Sequence, residues 1–309
     1  MLSLRTMFDP RSLFRFTRKR LQEPLFRFQP NLRSALLYPP GHFHSPLLDL
    51  RGVRSTDPNV PFDGEECWEH VELRPKEQRL YYEDLLERFP PLPFPPQKTE
   101  GYRYFTENSF FNFSDAFALS GILRKEQPRR IIEVGSGYST AVMLDTLAQT
   151  QGSAELTLIE PYPARLFSLL SAEDKASTRI FPNRIQEVPF WLFDELEAQD
   201  ILFIDSSHVA KIGSDVTLIL LQILPRLKRG VLVHFHDIFY PFSYPLNWIR
   251  EGRAWNESIF LRAFLSGNVN FETVAFNSFA GHSFPELFRD RLGDFLKDTG
   301  GSIWLRKVA

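Results

Sequence analysis

The segment Arg130-Ile-Ile-Glu-Val-Gly-Ser-Gly-Tyr-Ser-Thr140 (RIIEVGSGYST) sets a short apolar run directly before a glycine-rich turn. A helix-period pattern follows over 139–149, so the segment predicts a buried strand, a tight turn and a helix. Gly135 and Gly137 allow the backbone to approach a ligand closely, and the start of the helix offers free N–H donors. Because ligands of open α/β sheets lie at the carboxyl ends of strands, we expect a binding site at this turn.

Strand-like and helix-like segments alternate around this turn. Further apolar runs lie at 156–160, 179–181, 201–205 and 230–236, and helix patterns at 114–124 and 214–227. Short continuous apolar strands alternating with helices are typical of a parallel sheet covered on both faces. The last two runs, 268–276 and 302–307, are not joined by a full crossover-helix pattern and suit an antiparallel pair. We therefore predict an α/β fold, Rossmann-like and doubly wound, with a mainly parallel seven-stranded sheet and a C-terminal antiparallel hairpin.

The first hundred residues differ from the rest in composition. Residues 1–33 carry a net charge of +6, which leaves −8 for the remainder of a chain whose net charge is −2. One amphipathic helix is predicted at 76–89, with its apolar stripe on Leu80, Leu85, Leu86 and Phe89. The run PPLPFPP at 90–96 then predicts a polyproline-like linker or a wrapped strap. We predict a basic, Pro-rich extension over 1–100 and the main domain over 101–309.

Several classes of protein are excluded or disfavoured by composition. The single Cys67 excludes a disulfide scaffold and a cysteine-based zinc site. Arginines interrupt the N-terminus, so it does not have the apolar run of a secretory signal, and no later run approaches the roughly 20 residues of a membrane helix. We expect a cytoplasmic location and no membrane partner, although an Arg-rich, acid-poor start also fits an organellar transit peptide. A P-loop, a nucleophile elbow and a Cys-x-x-Cys motif are absent from the sequence.

An acidic residue at the end of the second strand points to a ribose-containing cofactor. Glu160 lies 23 residues after Gly137, and a carboxylate there can accept two hydrogen bonds from a ribose diol. Nicotinamide cofactors usually require a third glycine in the turn, where this chain has Thr140.

The glycine turn and Glu160 together resemble the class I S-adenosylmethionine-dependent methyltransferases, over about residues 105–309. The resemblance implies that the turn glycines line the methionyl part, that Glu133 helps hold its amino group and that Glu160 binds the ribose. Gln186 and Glu187, after the third strand, look like the adenine-contacting position. The implied cofactor-binding residues are Glu133, Gly135, Ser136, Gly137, Glu160, Gln186 and Asp205.

A cluster of aspartates and histidines follows strands four and five. The motifs are Phe203-Ile-Asp-Ser-Ser-His208 and Val233-His-Phe-His-Asp237. If the two strands are adjacent, Asp205, His236 and Asp237 converge, and this donor set suits a divalent cation such as Mg²⁺. Such a cation lowers the pKa of a substrate hydroxyl and orients its oxygen for attack on a methyl group.

The spacing of this cluster resembles that of metal-dependent small-molecule O-methyltransferases of the catechol and macrolide or sugar types. The resemblance implies Asp205, His236 and Asp237 as metal ligands and His208 as general base, so that all four are catalytic. It departs from the family at His236, where those enzymes usually have an acid. The two aspartates could instead cap the elements that follow them, and His236 could bind substrate without a metal. His234 is predicted to be a core histidine.

A long aromatic segment follows Asp237 and predicts a wall for a substrate pocket. The candidate substrate contacts are Tyr240, Tyr244, Trp248, Arg253, Trp255 and Asn256. These side chains could equally pack against the N-terminal extension.

We therefore expect an S-adenosylmethionine-dependent methyltransferase that methylates an oxygen of a small molecule, with or without a divalent cation. A nucleic-acid methyltransferase that docks its basic arm on phosphates is an alternative, but the acidic body disfavours it. A non-catalytic cofactor-binding module is another. The arm, with phenylalanines between its arginines, is predicted to pack against the acidic surface of the chain or of a second copy in a homo-oligomer.

Overall fold

The computed structural model describes residues 38–50 and 70–309. The chain divides into two compact units, a smaller one of Met1–Asp57 with Asn247–Ala254 and a larger one of Pro58–Leu246 with Trp255–Ala309. The basic arm over 1–33 and Cys67 lie outside the described residues, so the expectations about them stay predictions.

One seven-stranded sheet forms the centre of the larger unit. Its strands are β1 (Arg130–Val134), β2 (Glu155–Ile159), β3 (Arg179–Phe181), β4 (Ile201–Ile204), β5 (Leu232–Phe235), β6 (Phe271–Phe276) and β7 (Ile303–Lys307). The spatial order is β3-β2-β1-β4-β5-β7-β6, parallel from β3 to β5. Strand β7 runs antiparallel to both β5 and β6. The predicted doubly wound sheet and C-terminal antiparallel pair are confirmed.

The sheet reverses its winding direction between β1 and β4. From β1 the chain adds β2 and β3 on one side, then returns to add β4 and β5 on the other. Val134 is paired with Ile159 and with Ile204, and Ile204 with Phe235, so four carboxyl ends lie level at one edge. Such a reversal opens a crevice beyond the strand ends, where α/β proteins bind ligands.

Helices connect the strands and cover the sheet. The α-helices are α1 (Pro75–Arg88), α2 (Phe113–Glu126), α3 (Tyr138–Thr150), α4 (Ala164–Leu169), α5 (Ala172–Ser177), α6 (Trp191–Asp194), α7 (Asp215–Leu218), α8 (Leu246–Arg250), α9 (Glu257–Leu265), α10 (Asn277–Ser283), α11 (Glu286–Arg289) and α12 (Gly293–Lys297). All residues of β4 and β5 are buried, because helices cover both of their faces. Within the described parts of the chain, no helix has both the length and the apolar character needed to cross a bilayer.

The helix predicted at 214–227 is interrupted in the structure. It is α-helical only over α7, then becomes a π-helix at Ile219–Ile223 and a 3₁₀-helix at Leu224–Arg226. Pro225 supplies the reason, because proline has no N–H to donate and its ring clashes with the carbonyl four residues earlier. The backbone therefore leaves the α-helical hydrogen-bond pattern in the turn before the proline.

Helix α1 belongs to the larger unit, although the predicted boundary set it in the extension. Tyr82 and Leu85 are fully buried, and the Tyr82 hydroxyl donates to Asn277 Oδ1 at 2.6 Å. Leu80, predicted on the buried stripe, is instead 64% exposed. The stripe differs from the prediction because α1 buries a tyrosine rather than this leucine against its neighbours.

The proline run after α1 is a strap rather than a free linker. The backbone N–H groups of Thr106 and Glu107 donate to the carbonyls of Pro95 and Pro96, each at 2.9 Å. Arg124 of α2 also donates to the Pro90 carbonyl at 2.7 Å. The run is thus tied to the larger unit at both of its ends.

Candidate active site

The turn after β1 requires glycine at its first position. Gly135 has a φ of +81°, and a Cβ added there would lie 1.9 Å from the carbonyl oxygen of Asp205. Its N–H donates to the Ile159 carbonyl at 3.0 Å, while the Asp205 N–H donates to the Val134 carbonyl at 2.8 Å. The turn is therefore packed against the end of β4, and the predicted cofactor turn and the first residue of the Asp/His motif are in contact.

The Glu133 carboxylate is hydrogen-bonded to the first turn of α3. Its side chain is fully buried, Ser139 Oγ donates to one carboxylate oxygen at 2.5 Å, and Thr140 Oγ1 donates to the other. Burial raises the pKa of Glu133 to about 7, against the two hydroxyl donors, which lower it. The structure thus gives Glu133 a role in shaping the start of α3, and a direct contact with a cofactor's amino group stays a prediction.

A cleft of about 200 Å³ opens in front of the turn. Five predicted cofactor residues line it: Gly135, Ser136, Gly137, Glu160 and Asp205. Glu160 keeps its position by accepting the Tyr162 N–H at 2.7 Å. The other two predicted cofactor residues, Glu133 and Gln186, do not line the cleft. Gln186 lies exposed on a 3₁₀ turn and donates to the Gly213 carbonyl at 3.0 Å.

A cation–aromatic pair that no sequence motif indicated also lines this cleft. The Arg165 guanidinium lies 3.7 Å from the centre of the Phe110 ring, and that ring stacks on Tyr138 at 5.7 Å. Both Phe110 and Arg165 line the cleft. A cation over an aromatic face is a favourable contact, but neither residue belongs to a motif that would have indicated it.

Beside the cleft, two aspartates and a histidine form what we call the Asp/His cluster: Asp205, His208 and Asp237. His208 Nε2 lies 3.3 Å from Asp205 Oδ1 and 3.5 Å from Asp237 Oδ2. Among the residues that the structure describes, only this group brings three potential metal-ligating atoms within 4.8 Å of one another.

The Asp/His cluster differs from the predicted metal set in one member, because His208 takes the place expected for His236. The His236 ring is buried against Phe111, with the ring centres 5.1 Å apart, and its Nε2 is 3.6 Å from Asp237 Oδ1. Alternation along the strand sets His236 on the same side as the core residue His234. Asp237 then turns the chain with a φ of 56°, and its Oδ2 lies 3.5 Å from His208 Nε2.

Carboxylates in and around the Asp/His cluster favour the charged forms of His208 and His236. Burial alone would lower the pKa of His208, but Asp205 and Glu257 bind and attract its charged form and raise that pKa well above its ordinary value. Burial likewise opposes the charged form of His236, while Asp237, Asp205 and Asp115 raise its pKa. The imidazoles thus balance the carboxylates that converge at this edge.

His234 is a core residue, as predicted. It is fully buried, stacks on Phe203 with ring centres 3.8 Å apart, and its Nε2 is 2.9 Å from Ser302 Oγ. Burial holds the pKa of His234 well below its ordinary value, so the ring is neutral.

The predicted substrate residues separate into three groups. Trp255 lies on the His208 ring at 4.3 Å, and Tyr244, whose hydroxyl accepts the Ser258 N–H, lies edge-on to Trp255 at 5.7 Å. Tyr240 packs against Phe279, with ring centres 5.2 Å apart. Trp248 and Arg253 belong to the smaller unit, where the guanidinium lies 4.3 Å from the indole ring. The structure thus brings Trp255 to the Asp/His cluster, and the substrate contacts stay predictions.

The central part of the chain is similar to known proteins. Residues 132–238 match the family model described as a methyltransferase domain. An uncharacterized protein of Archaeoglobus fulgidus is 30% identical over 135 residues, which cover 41% of this chain and 60% of that protein. The chain thus matches less than two thirds of that curated relative. The resemblance to methyltransferases is confirmed for this domain, which contains the glycine turn, Glu160 and the Asp/His cluster.

Solved structures with a similar arrangement include methyltransferases. The SAH-bound methyltransferase PaMTH1 of Podospora anserina is 16% identical, with a TM-score of 0.42, over 81% of this chain and 99% of that chain. The O-methyltransferase TomG of Streptomyces achromogenes, involved in tomaymycin synthesis and in complex with SAM, is 16% identical, with a TM-score of 0.40, over 62% and 78%.

Proposed function

We propose that the chain, through the methyltransferase domain of residues 132–238, transfers the methyl group of S-adenosylmethionine to a hydroxyl oxygen of a small molecule. One observation carries the proposal: Asp205 lines the glycine-turn cleft and also belongs to the Asp/His cluster. A methyl donor in the cleft would therefore lie next to groups that can bind and deprotonate a hydroxyl. Direct methyl transfer needs this juxtaposition, since donor and acceptor must lie in line.

The cofactor is proposed to lie along the cleft, with its methionyl part at the turn and its ribose at Glu160. The turn presents backbone N–H groups at the start of α3, and Glu160 is an acceptor that can take both ribose hydroxyl protons. When bound, the cofactor supplies a sulfonium-activated methyl group.

The chain's own residues perform the remaining steps. The acceptor hydroxyl is held at Asp205 and Asp237, and its proton passes to Nε2 of His208 in the neutral form of the ring, which the raised pKa of His208 restricts to more alkaline pH. With the cofactor bound, this oxygen would bond to the methyl carbon as the carbon–sulfur bond breaks, and S-adenosylhomocysteine would be the second product. Trp255, packed on the His208 ring, excludes water from this side of the Asp/His cluster.

The Asp/His cluster is also proposed to bind a divalent cation. Two carboxylates and an imidazole whose ligating atoms lie within 4.8 Å of one another are a suitable donor set, so the residues present fit such an ion. Asp205, Asp237 and His208 Nε2 would hold it, and it would lower the pKa of the acceptor hydroxyl. One nitrogen cannot ligate a cation and accept a proton at once, so a chelator distinguishes the two roles of His208.

Calorimetry with S-adenosylmethionine and S-adenosylhomocysteine tests the cofactor. Glu160→Gln is expected to weaken binding roughly tenfold or more, because the hydrogen bonds from the ribose lose their charged acceptor. Glu155→Gln is the matched control, since Glu155 begins the same strand at the opposite edge and is exposed. Absence of binding to the wild type at millimolar ligand would refute the proposal.

Methyl transfer itself is measured with labelled S-adenosylmethionine against a panel of phenols and sugars. Loss of turnover in chelator, with recovery on adding Mg²⁺ or Mn²⁺, would support the cation. Equal turnover with and without chelator would leave His208 as the proton acceptor and remove the metal from the proposal.

A further inference from the structure

Glu257 is a buried carboxylate that no sequence motif indicated. It is the first residue of α9 and is 1% exposed. Its Oε2 lies 2.9 Å from His208 Nδ1 and accepts the Ser206 hydroxyl at 2.8 Å. Its Oε1 has no hydrogen-bond partner among the described residues. The hydrogen bonds of this carboxylate thus all go to the loop that carries His208.

The same segment also holds the backbone of His208. The N–H groups of Asn256 and Glu257 both donate to the His208 carbonyl, at 2.9 and 3.1 Å, and Asn256 Oδ1 accepts the Ala210 N–H at 2.6 Å. His208 has a φ of 59°, a conformation that side-chain-bearing residues rarely adopt without such support. Its ring packs on Trp255, with the ring centres 4.3 Å apart, so the orientation of the ring is set by residues 255–257.

The two ring nitrogens of His208 face different carboxylates. Nδ1 has Glu257 at 2.9 Å, an ordinary hydrogen-bond length, whereas Nε2 has Asp205 and Asp237 at 3.3 and 3.5 Å, beyond the usual range. A neutral imidazole carries one proton, and the nitrogen that holds it is decided by the stronger acceptor. The shorter contact, made inside the protein, favours the proton on Nδ1.

We propose that Glu257 is the positioning residue of the Asp/His cluster: it holds the neutral-ring proton of His208 on Nδ1 and so leaves the lone pair of Nε2 directed at Asp205 and Asp237. Its catalytic consequence rests on the function proposed above, because only a bare Nε2 can take a hydroxyl proton or ligate a cation. A carboxylate in this outer position is the usual way to orient a working histidine.

Nitrogen-resolved NMR of ¹⁵N-histidine-labelled protein tests the proposal without any methyl transfer. The His208 signals are assigned by their loss in His208→Asn and recorded at a pH where the ring is neutral. The wild type is expected to show the Nδ1–H tautomer. Glu257→Gln, which keeps the size and removes the charge, is expected to shift the population towards Nε2–H, where the two aspartates attract the proton.

Ser206→Ala is the matched control for this experiment. It removes the hydroxyl that donates to Glu257 and accepts the His208 N–H, but it leaves the contact between Glu257 and Nδ1, so the tautomer is expected to stay as in the wild type. A wild-type ring protonated on Nε2, or a tautomer unchanged in Glu257→Gln, would overturn the proposal. The wild-type tautomer needs only His208→Asn for its assignment, so it decides the question even if Glu257→Gln does not fold.

Kinetics then separate this inference from the proposed function. In Glu257→Gln, kcat is expected to fall about 10- to 100-fold, with the Kd for S-adenosylhomocysteine unchanged, because the residue does not line the cleft. If the tautomer shifts but the wild type methylates no acceptor, the proposed function fails and the positioning role stands. If the wild type methylates its acceptor and Glu257→Gln retains full kcat, the positioning role fails alone.

Discussion

Glu133 sits between two hydroxyl donors in the glycine turn, and its ionisation links that turn to pH. A carboxylate whose pKa is raised in the folded state favours folding most when it is protonated. Thr140 supplies one of the two hydroxyls at the place where a dinucleotide-binding turn would have glycine. Thr140, which disfavours a nicotinamide cofactor in the sequence, therefore also supports the turn.

The first prediction concerns Glu133→Gln. With a folded-state pKa of about 7 against an ordinary 4.5, Glu133 makes the native state retain a proton that the unfolded chain has released. The stability present below pH 4.5 is lost as pH rises through about 7, by roughly 3 kcal/mol in all. The difference in unfolding free energy between Glu133→Gln and wild type should therefore move in favour of the variant over this window.

Denaturant unfolding at a series of pH values from 4.5 to 8 measures this difference. The exposed Glu155→Gln serves as control and should follow the wild-type curve throughout. Parallel curves for Glu133→Gln and wild type would show that burial does not perturb this carboxyl group as described.

The extent of helix α1 was predicted well, but the face that it buries was predicted less well. The periodic pattern located the helix, which begins at Pro75 and ends at Arg88, because proline is favoured at a first helical position. The pattern could not distinguish Leu80 from Tyr82, since both lie on plausible faces of a short helix. Contact with Asn277, almost two hundred residues later, decided between them.

The second prediction compares two leucines of α1. Leu85→Ala should lower the free energy of unfolding by about 2–5 kcal/mol, because Leu85 is fully buried and its loss leaves a cavity. Leu80→Ala, on the exposed side of the same helix, should change it by less than about 0.5 kcal/mol. Equal, small effects in both variants would mean that α1 is not an integral part of the larger unit.

Charge is distributed unequally between the N-terminal arm and the rest of the molecule. The first 33 residues carry +6 and the rest of the chain −8. We propose that the arm packs on the acidic surface of the chain or of a second copy, with its phenylalanines adding buried apolar area to the charge contacts. Such contacts between exposed charges weaken as salt screens them.

The third prediction concerns the removal of residues 1–33. The deletion should lower the thermal midpoint or dissociate an oligomer, measured by thermal unfolding and light scattering at low and high salt. A variant that keeps residues 1–33 but has the arm's basic residues changed to Gln distinguishes charge from apolar contact, since it keeps every phenylalanine. If neither variant changes the midpoint or the mass, the arm does not bind the chain's own surface.

The sequence by itself determined the order of strands and helices, the glycine turn, and the chemistry at the strand ends. These are local properties: strand periodicity sets which residues reach the end of a strand, and the Gly135 contact needs only the two neighbouring strands. Five predicted cleft residues therefore lie where they were expected. The helix predicted at 214–227 is α-helical only over Asp215–Leu218, because Pro225 disrupts the hydrogen bonds of the turn before it.

Only the tertiary structure decided which histidine joins the aspartates and what holds it. His208 and Asp237 both adopt φ values near +60°, so the directions of their side chains after the strands cannot be extrapolated from strand periodicity. Glu257 reaches His208 from 49 positions further along the chain, without a motif to indicate it. A contact of that kind depends on how the whole larger unit packs, and no pattern within the neighbouring residues records it.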